Sequence, residues 1–227
     1  MNFLRQTFTI AAKDLRAELR SKEAINASFS FSLTILLLFS FAFDPTAETT
    51  REISGGLLWI VFAFAGALIL NRSFARELPN DCLDALISAP LPGSALFLGK
   101  ALANLLLLLA VEAVCFPVFG IFYNNVRWTQ QLLPLLLVLV LGTWGFTVIG
   151  TMFSALTVNI RLREVMLPLL VYPVMIPCLM AAMELTRHLV GGEPLDAEMI
   201  VWIKYLIGFD VIFTSLALAL VDIVLVG

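Results

Sequence analysis

The chain has 227 residues, of which 60% are hydrophobic and only 14% charged. A soluble domain carries roughly a quarter of its residues as charges in order to meet water, so this composition excludes a soluble fold and requires one that faces lipid. The formal net charge of −3 and the absence of any basic tract exclude the phosphate-tracking surface of a nucleic-acid binder.

The first twenty residues place Leu4, Phe8, Ala11, Ala12, Leu15 and Leu19 at helical spacing, with Arg5, Thr9, Lys13, Arg16 and Arg20 opposite. This predicts an amphipathic helix over 3–20 lying in the membrane interface. Two readings stand side by side: a simple anchor that sets topology, and an elbow helix that braces a partner beneath the membrane.

Crossing a hydrocarbon core takes about 20 mostly apolar residues. Six stretches qualify, at 24–43, 54–71, 101–122, 132–156, 166–186 and 202–226. Five basic residues precede the first stretch and no small-residue cleavage site follows it, so it is expected to be retained and not removed as a signal peptide. With the N-terminus inside, ten of the fourteen basic residues fall on the cytoplasmic side, leaving Arg51, Arg127, Arg187 and Lys204 outside. The Lys and Arg bias therefore predicts both termini in the cytoplasm.

Between the second and third spans the loop 72–100 reads RSFARELPNDCLDALISAPLPGSALFLGK. Asn80 or Asp81 can cap a short helix, Leu83, Leu86 and Ile87 form one apolar edge beside Asp84, and Pro90 ends it. Such a helix suits docking in a groove of a partner protein. The plainer reading is a solvated loop with an incidental helical turn.

Glu112 in the third span and Asp210 in the sixth are deep intramembrane acids, which must face protein or water. They form either a polar seam that acts as a pathway or switch, or ordinary buried interhelical hydrogen bonds. In the fourth span Thr143, Thr147, Thr151 and the Gly150–Ser154 pair offer small faces for close packing, by default within this chain. Pro168, Pro173 and Pro177 predict a bent or broken fifth span. His188 is the sole histidine and the one candidate heme-iron ligand, although an isolated histidine at a helix end is more often a polar interface residue. The chain carries no phosphate-binding loop, no metal-ligand motif and no catalytic elbow, so any ATP must be bound by a partner.

Several strings carry a family resemblance: GLLWIVFAFAGALILNRSFARE at 56–77, PLPGSALFLGK ending at Lys100, GTMFSALT at 150–157 and RLREVMLPLLVYPVMIPCLMAA at 161–182. They resemble the heme exporter protein B family, CcmB, over nearly the whole chain. That family's cytoplasmic signature runs approximately F-x-x-D/E-x-x-D-G-S-L. Phe74, Glu77 and Leu83 stand in register with it, whereas Asn80, Asp81 and Cys82 replace its second acid, glycine and serine.

The resemblance implies an all-α, polytopic permease of the bacterial inner membrane, similar to ABC-2-type exporters. It also implies a separate ATPase subunit, CcmA, a complex with CcmC and CcmD, and delivery of heme to the chaperone CcmE. On this view Phe74, Glu77, Asp81, Leu83, Asp84, Leu86 and Ile87 couple the ATPase to the spans. Neither a catalytic site nor a resident cofactor or metal is expected; heme is the handled ligand, and ATP acts only through the partner. An exporter of lipid, drug or glycan and a non-translocating scaffold of the heme-handling complex are the competing functions.

Overall fold

The computed structural model describes residues 3–44, 47–79, 82, 86, 88, 91–123 and 127–226. Among the described residues there are seven long helices and two short 3-10 turns, and no strand. Helix α1 is Phe3–Ser21, α2 Glu23–Ala42, α3 Glu48–Ser73, α4 Gly93–Phe122, α5 Leu132–Thr157, α6 Arg163–Val190 and α7 Ala197–Val226. The 3-10 turns are Ala75–Glu77 and Arg127–Gln131. Among the described residues six helices, α2 to α7, are long and apolar enough to cross a membrane. Helices suit that role because each satisfies its own backbone hydrogen bonds.

The helices overrun the apolar runs. Helix α3 starts at Glu48 and not at 54, and α4 starts at Gly93 and not at 101. A hydropathy reading sees only the lipid-immersed part, whereas the helix continues into the interface until a residue such as Pro92, held extended, ends it. Helix α6 is continuous through Pro168, Pro173 and Pro177, so of the expected bend or break the break is absent. Each proline removes only one donor, and neighbouring turns can keep the helix intact.

Helix α3 is innermost. Of its apolar window 72% is buried, against 22% for α2 and for α7, which turn most of their surface outward. Ser28 Oγ ties α2 to the Ala65 carbonyl at 3.0 Å, and Trp59 Nε1 ties α3 to Thr186 Oγ1 of α6 at 2.9 Å. Trp144 Nε1 joins α5 to Thr214 Oγ1 of α7 at 3.0 Å. The outer belt consists of residues such as Phe41, Ile121, Leu133 and Ile223, the apolar surface that lipid would cover.

Helix α1 carries three stripes where a two-sided pattern was expected. Of the expected apolar face Leu4, Phe8, Ala12 and Leu19 are exposed, Leu15 is half-buried and Ala11 is buried, and Arg5, Arg16 and Arg20 are exposed beside the first group. The face packed on the bundle is Gln6, Thr7, Ile10, Ala11, Asp14 and Glu18. The chain then turns into α2 at Lys22, which adopts a left-handed conformation at φ 56°. Few non-glycine residues sit there, so this corner is held by its surroundings. Glu18 holds it, its Oε1 accepting the Ile25 amide at 2.9 Å and thereby satisfying one of the orphan donors that open α2.

Candidate coupling site at the loop end of the bundle

The loop 72–100 leaves from the end of α3 and returns at the start of α4, and both roots meet α1 in a buried charge cluster. Lys100, with no solvent exposure, donates to Asp14 Oδ2 at 3.0 Å, Glu77 Oε1 at 3.1 Å and the Ser73 carbonyl at 2.9 Å. Its ammonium also lies 5.0 Å from the centre of the Phe74 ring. Lys13 reaches in from α1 to Glu77 Oε1 at 2.5 Å and Asp14 Oδ1 at 3.2 Å. Two lysines and two carboxylates thus neutralise one another where isolated charges would be costly. Burial works against the Lys13 ammonium, but the Glu77 hydrogen bond and the Asp14 and Glu77 charges outweigh it and hold its pKa above the ordinary lysine value.

A second pair lies beside the first. Arg76 engages Glu18, the fully buried acid that also caps α2. Asn104, one turn beyond Lys100, donates to both Ser73 Oγ and Thr151 Oγ1 at 2.9 Å, and so extends the network to α5. Helices α1, α3, α4 and α5 therefore share one polar joint at the base of the loop.

Among the loop residues singled out from sequence, Phe74 and Glu77 prove to be buried in this joint. Their surroundings are this chain's own, so they cannot present a surface to a partner as the joint stands. Leu86 is half-buried and helical, and Cys82 is exposed. Asp81, Leu83, Asp84 and Ile87 lie outside the described residues. Sequence reading missed Asp14, Glu18, Lys100 and Asn104. The available signal was a pair of acids spaced i, i+4 in a helix whose other charges are all basic.

Glu112 and Asp210 lie on opposite flanks of α5. Thr143 donates to Glu112 Oε1 at 2.7 Å, while Oε2 has no partner among the described residues. Both Asp210 oxygens are likewise without a partner, and Asp210 sits against Gly145, where an added Cβ would meet Oδ1 at 2.7 Å. Positions 143 and 145 are about 200° apart around a helix, so α5 stands between the two acids. Thr147, Thr151, Gly150 and Ser154 all face into this chain. Ser154 Oγ donates to the Leu70 carbonyl at 2.8 Å, and Gly150 lets Leu70 approach.

At the far end, both ring nitrogens of His188 are engaged by the chain itself. Nε2 is 2.8 Å from the Pro194 carbonyl and Nδ1 is 3.1 Å from Glu193 Oε2. Neither is free to ligate iron in this arrangement.

The model of the CcmB protein family matches residues 5–222. The chain belongs to the CcmB protein family. It is 32% identical over 190 residues to heme exporter protein B of Rhodobacter capsulatus, covering 84% of this chain and 85% of that one. Heme exporter protein B of Paracoccus denitrificans is 32% identical over 187 residues, covering 82% and 84%. The Pseudomonas aeruginosa protein of that name is 25% identical over 211 residues, covering 92% and 93%. With its six apolar helices, this CcmB family member is a multi-pass membrane protein. The matched region takes in both Asp14 and Lys100, so the joint lies inside the family's own span of sequence.

Proposed function

We propose that this chain is the membrane permease subunit of an ABC-type complex that delivers heme for c-type cytochrome biogenesis, and that it is moved by a partner ATPase without binding nucleotide itself. The observation that carries this reading is the similarity to heme exporter protein B over most of the chain. The ATPase subunit CcmA docks on the loop through Asp81, Leu83, Asp84, Leu86 and Ile87, while CcmC and CcmD complete the complex and CcmE receives the heme. Phe74 and Glu77 hold the root of that loop. Because both roots of the loop are bonded to α1 and to each other, a push on the loop moves α1, α3 and α4 together. Heme is the cargo and not a resident cofactor.

The concentration of basic residues at the loop end, on α1, at Arg72, Arg76 and Lys100 and at Arg163, supports placing that end in the cytoplasm of a bacterial inner membrane. Glu112 and Asp210 serve as polar flanks of α5 that gain hydration as the helices move. His188 has no part in this reading.

The test is a variant with Leu83→Glu and Leu86→Glu. The subunit is expected to remain inserted in the membrane and to lose copurification with the ATPase. Copurification at the level of the unaltered subunit rejects the docking assignment.

A further inference from the structure

Helix α3 reaches the surface along one narrow stripe. Between positions 57 and 70 its exposed residues are Ile60, Phe64 and Leu68, and the same four-residue spacing carries the stripe on to exposed Arg72. Helices α2 and α6 pack against α3 and flank this stripe with aromatic rings. Phe31 of α2 lies 5.8 Å from the Phe64 ring and Tyr172 of α6 lies 5.9 Å from it. From Arg72 to Ile60 the stripe runs about 18 Å at the helical rise of about 1.5 Å per residue. That is close to the depth of one leaflet, half of a hydrocarbon core about 30 Å thick.

At the loop end Leu68 and Arg72 also line a cleft of about 730 Å³ between α2, α3 and the start of α6, so stripe and cleft are continuous. The rim of the cleft carries both signs of charge. Arg76 is committed to buried Glu18, and Arg72 pairs with Glu23 at the surface. Arg163 and Glu164 line the same cleft, and neither has an ion-pair partner among the described residues. Asn71 also lines it, with its Oδ1 buried and without a partner among the described residues. An amide oxygen accepts only, so what it lacks is a donor. One uncommitted cation, one uncommitted anion and one orphan acceptor together fit a zwitterion whose cation carries N–H groups.

We infer that cleft and stripe form a site for one phospholipid with a primary-amine headgroup, phosphatidylethanolamine, in the leaflet on the loop side. Arg163 takes the phosphate, Glu164 and Asn71 Oδ1 take the ammonium, and an acyl chain lies on Leu68, Phe64 and Ile60. Guanidinium and phosphate form strong charge-assisted hydrogen bonds, as do ammonium and carboxylate. The quaternary ammonium of phosphatidylcholine has no N–H to give Asn71, and phosphatidylglycerol brings no cation for Glu164. The lipid is a resident of the groove and not a cargo. It joins the start of α6 to the end of α3, and the assignment needs only the membrane placement of the six helices.

The test reconstitutes the full chain in nanodiscs of equal parts dioleoyl phosphatidylethanolamine, phosphatidylcholine and phosphatidylglycerol, and counts retained lipids by native mass spectrometry. One phosphatidylethanolamine is expected to be retained at least about tenfold over either competitor, the worth of one hydrogen bond to a charged group. Glu164→Gln is expected to lower that preference about tenfold and to raise retention of phosphatidylglycerol, a gain that misfolding cannot produce. Asn71→Leu should make phosphatidylethanolamine and phosphatidylcholine equal. Arg163→Gln should weaken all three alike by about tenfold, since each carries the phosphate.

Equal retention of the three lipids overturns the assignment, as does Glu164→Gln with the lipid ratios unchanged. Phosphatidylglycerol retained above phosphatidylethanolamine overturns it too, since the cleft would then select net negative charge. Displacement of the retained lipid by soluble glycerophosphoethanolamine would show that the headgroup alone binds and would remove the stripe from the site. Neither heme nor the ATPase enters the measurement, so its failure and failure of the coupling reading are separate results.

Discussion

Lys100 and Asp14 are 86 residues apart in sequence and 3.0 Å apart in the fold, the ammonium fully buried against a carboxylate of the first helix. This pair fastens the amphipathic helix to the first turns of α4, where the loop returns to the bundle. A buried pair of this kind is weak evidence for net stability, but removing one partner strands the other.

Lys100→Met leaves Asp14 and Glu77 sharing Lys13 alone, and is expected to cost about 3–5 kcal/mol. Thermal unfolding of the purified subunit in detergent should show a lowered midpoint, and the Asp14→Asn, Lys100→Met double variant should lose less than the sum of the single losses. Strict additivity would mean that the two groups do not interact.

Glu18 has two jobs that substitution can separate. Glu18→Gln keeps an oxygen for the Ile25 amide but gives up the charge paired with Arg76, whereas Glu18→Ala gives up both. The alanine variant should be less stable than the glutamine variant by about 1 kcal/mol, the usual worth of a capping side chain. Hydrogen exchange at the Ile25 amide should rise in the alanine variant and stay protected in the glutamine one.

Helices α3 and α6 approach closely at Gly55, where an added Cβ would lie 2.2 Å from the Met183 carbonyl oxygen. Gly55→Ala should therefore destabilise by about 1–3 kcal/mol, because backbone must move to admit it. Gly208 in α7 has nothing within 4 Å of an added Cβ. Gly208→Ala should be neutral, or stabilise by up to about 1 kcal/mol through helix propensity. Unfolding midpoints of the two variants should move in opposite directions or differ by several degrees.

Three of the four carboxyl oxygens of Glu112 and Asp210 lack a partner among the described residues, and the proposed hydration role of the pair can be tested apart from packing. Glu112→Gln combined with Asp210→Asn keeps shape and should leave the unfolding midpoint near that of the unaltered protein. Cytochrome c maturation in cells should fall. Maturation at the original level would remove any hydration role for the pair.

Some of this was readable directly. Six long apolar runs demand six helices in lipid, because an unsatisfied peptide group there is prohibitive, and the ordered strings from Gly56 to Ala182 carried the family. The small residues of α5 were readable as a packing face for the same local reason. The three stripes of α1 were not, since a binary pattern assigns each residue to lipid or water, and Asp14 and Glu18 belong to neither.

Sequence alone thus determined the fold class, the family and the number of crossings, all of which follow from local hydropathy and short strings. Only the tertiary structure decided that Phe74 and Glu77 point inward, that α5 separates Glu112 from Asp210, and that Arg72 and Arg163 share one cleft. Those relations join residues tens of positions apart, and they depend on how helices rotate about their axes as they pack, a choice that no local period records.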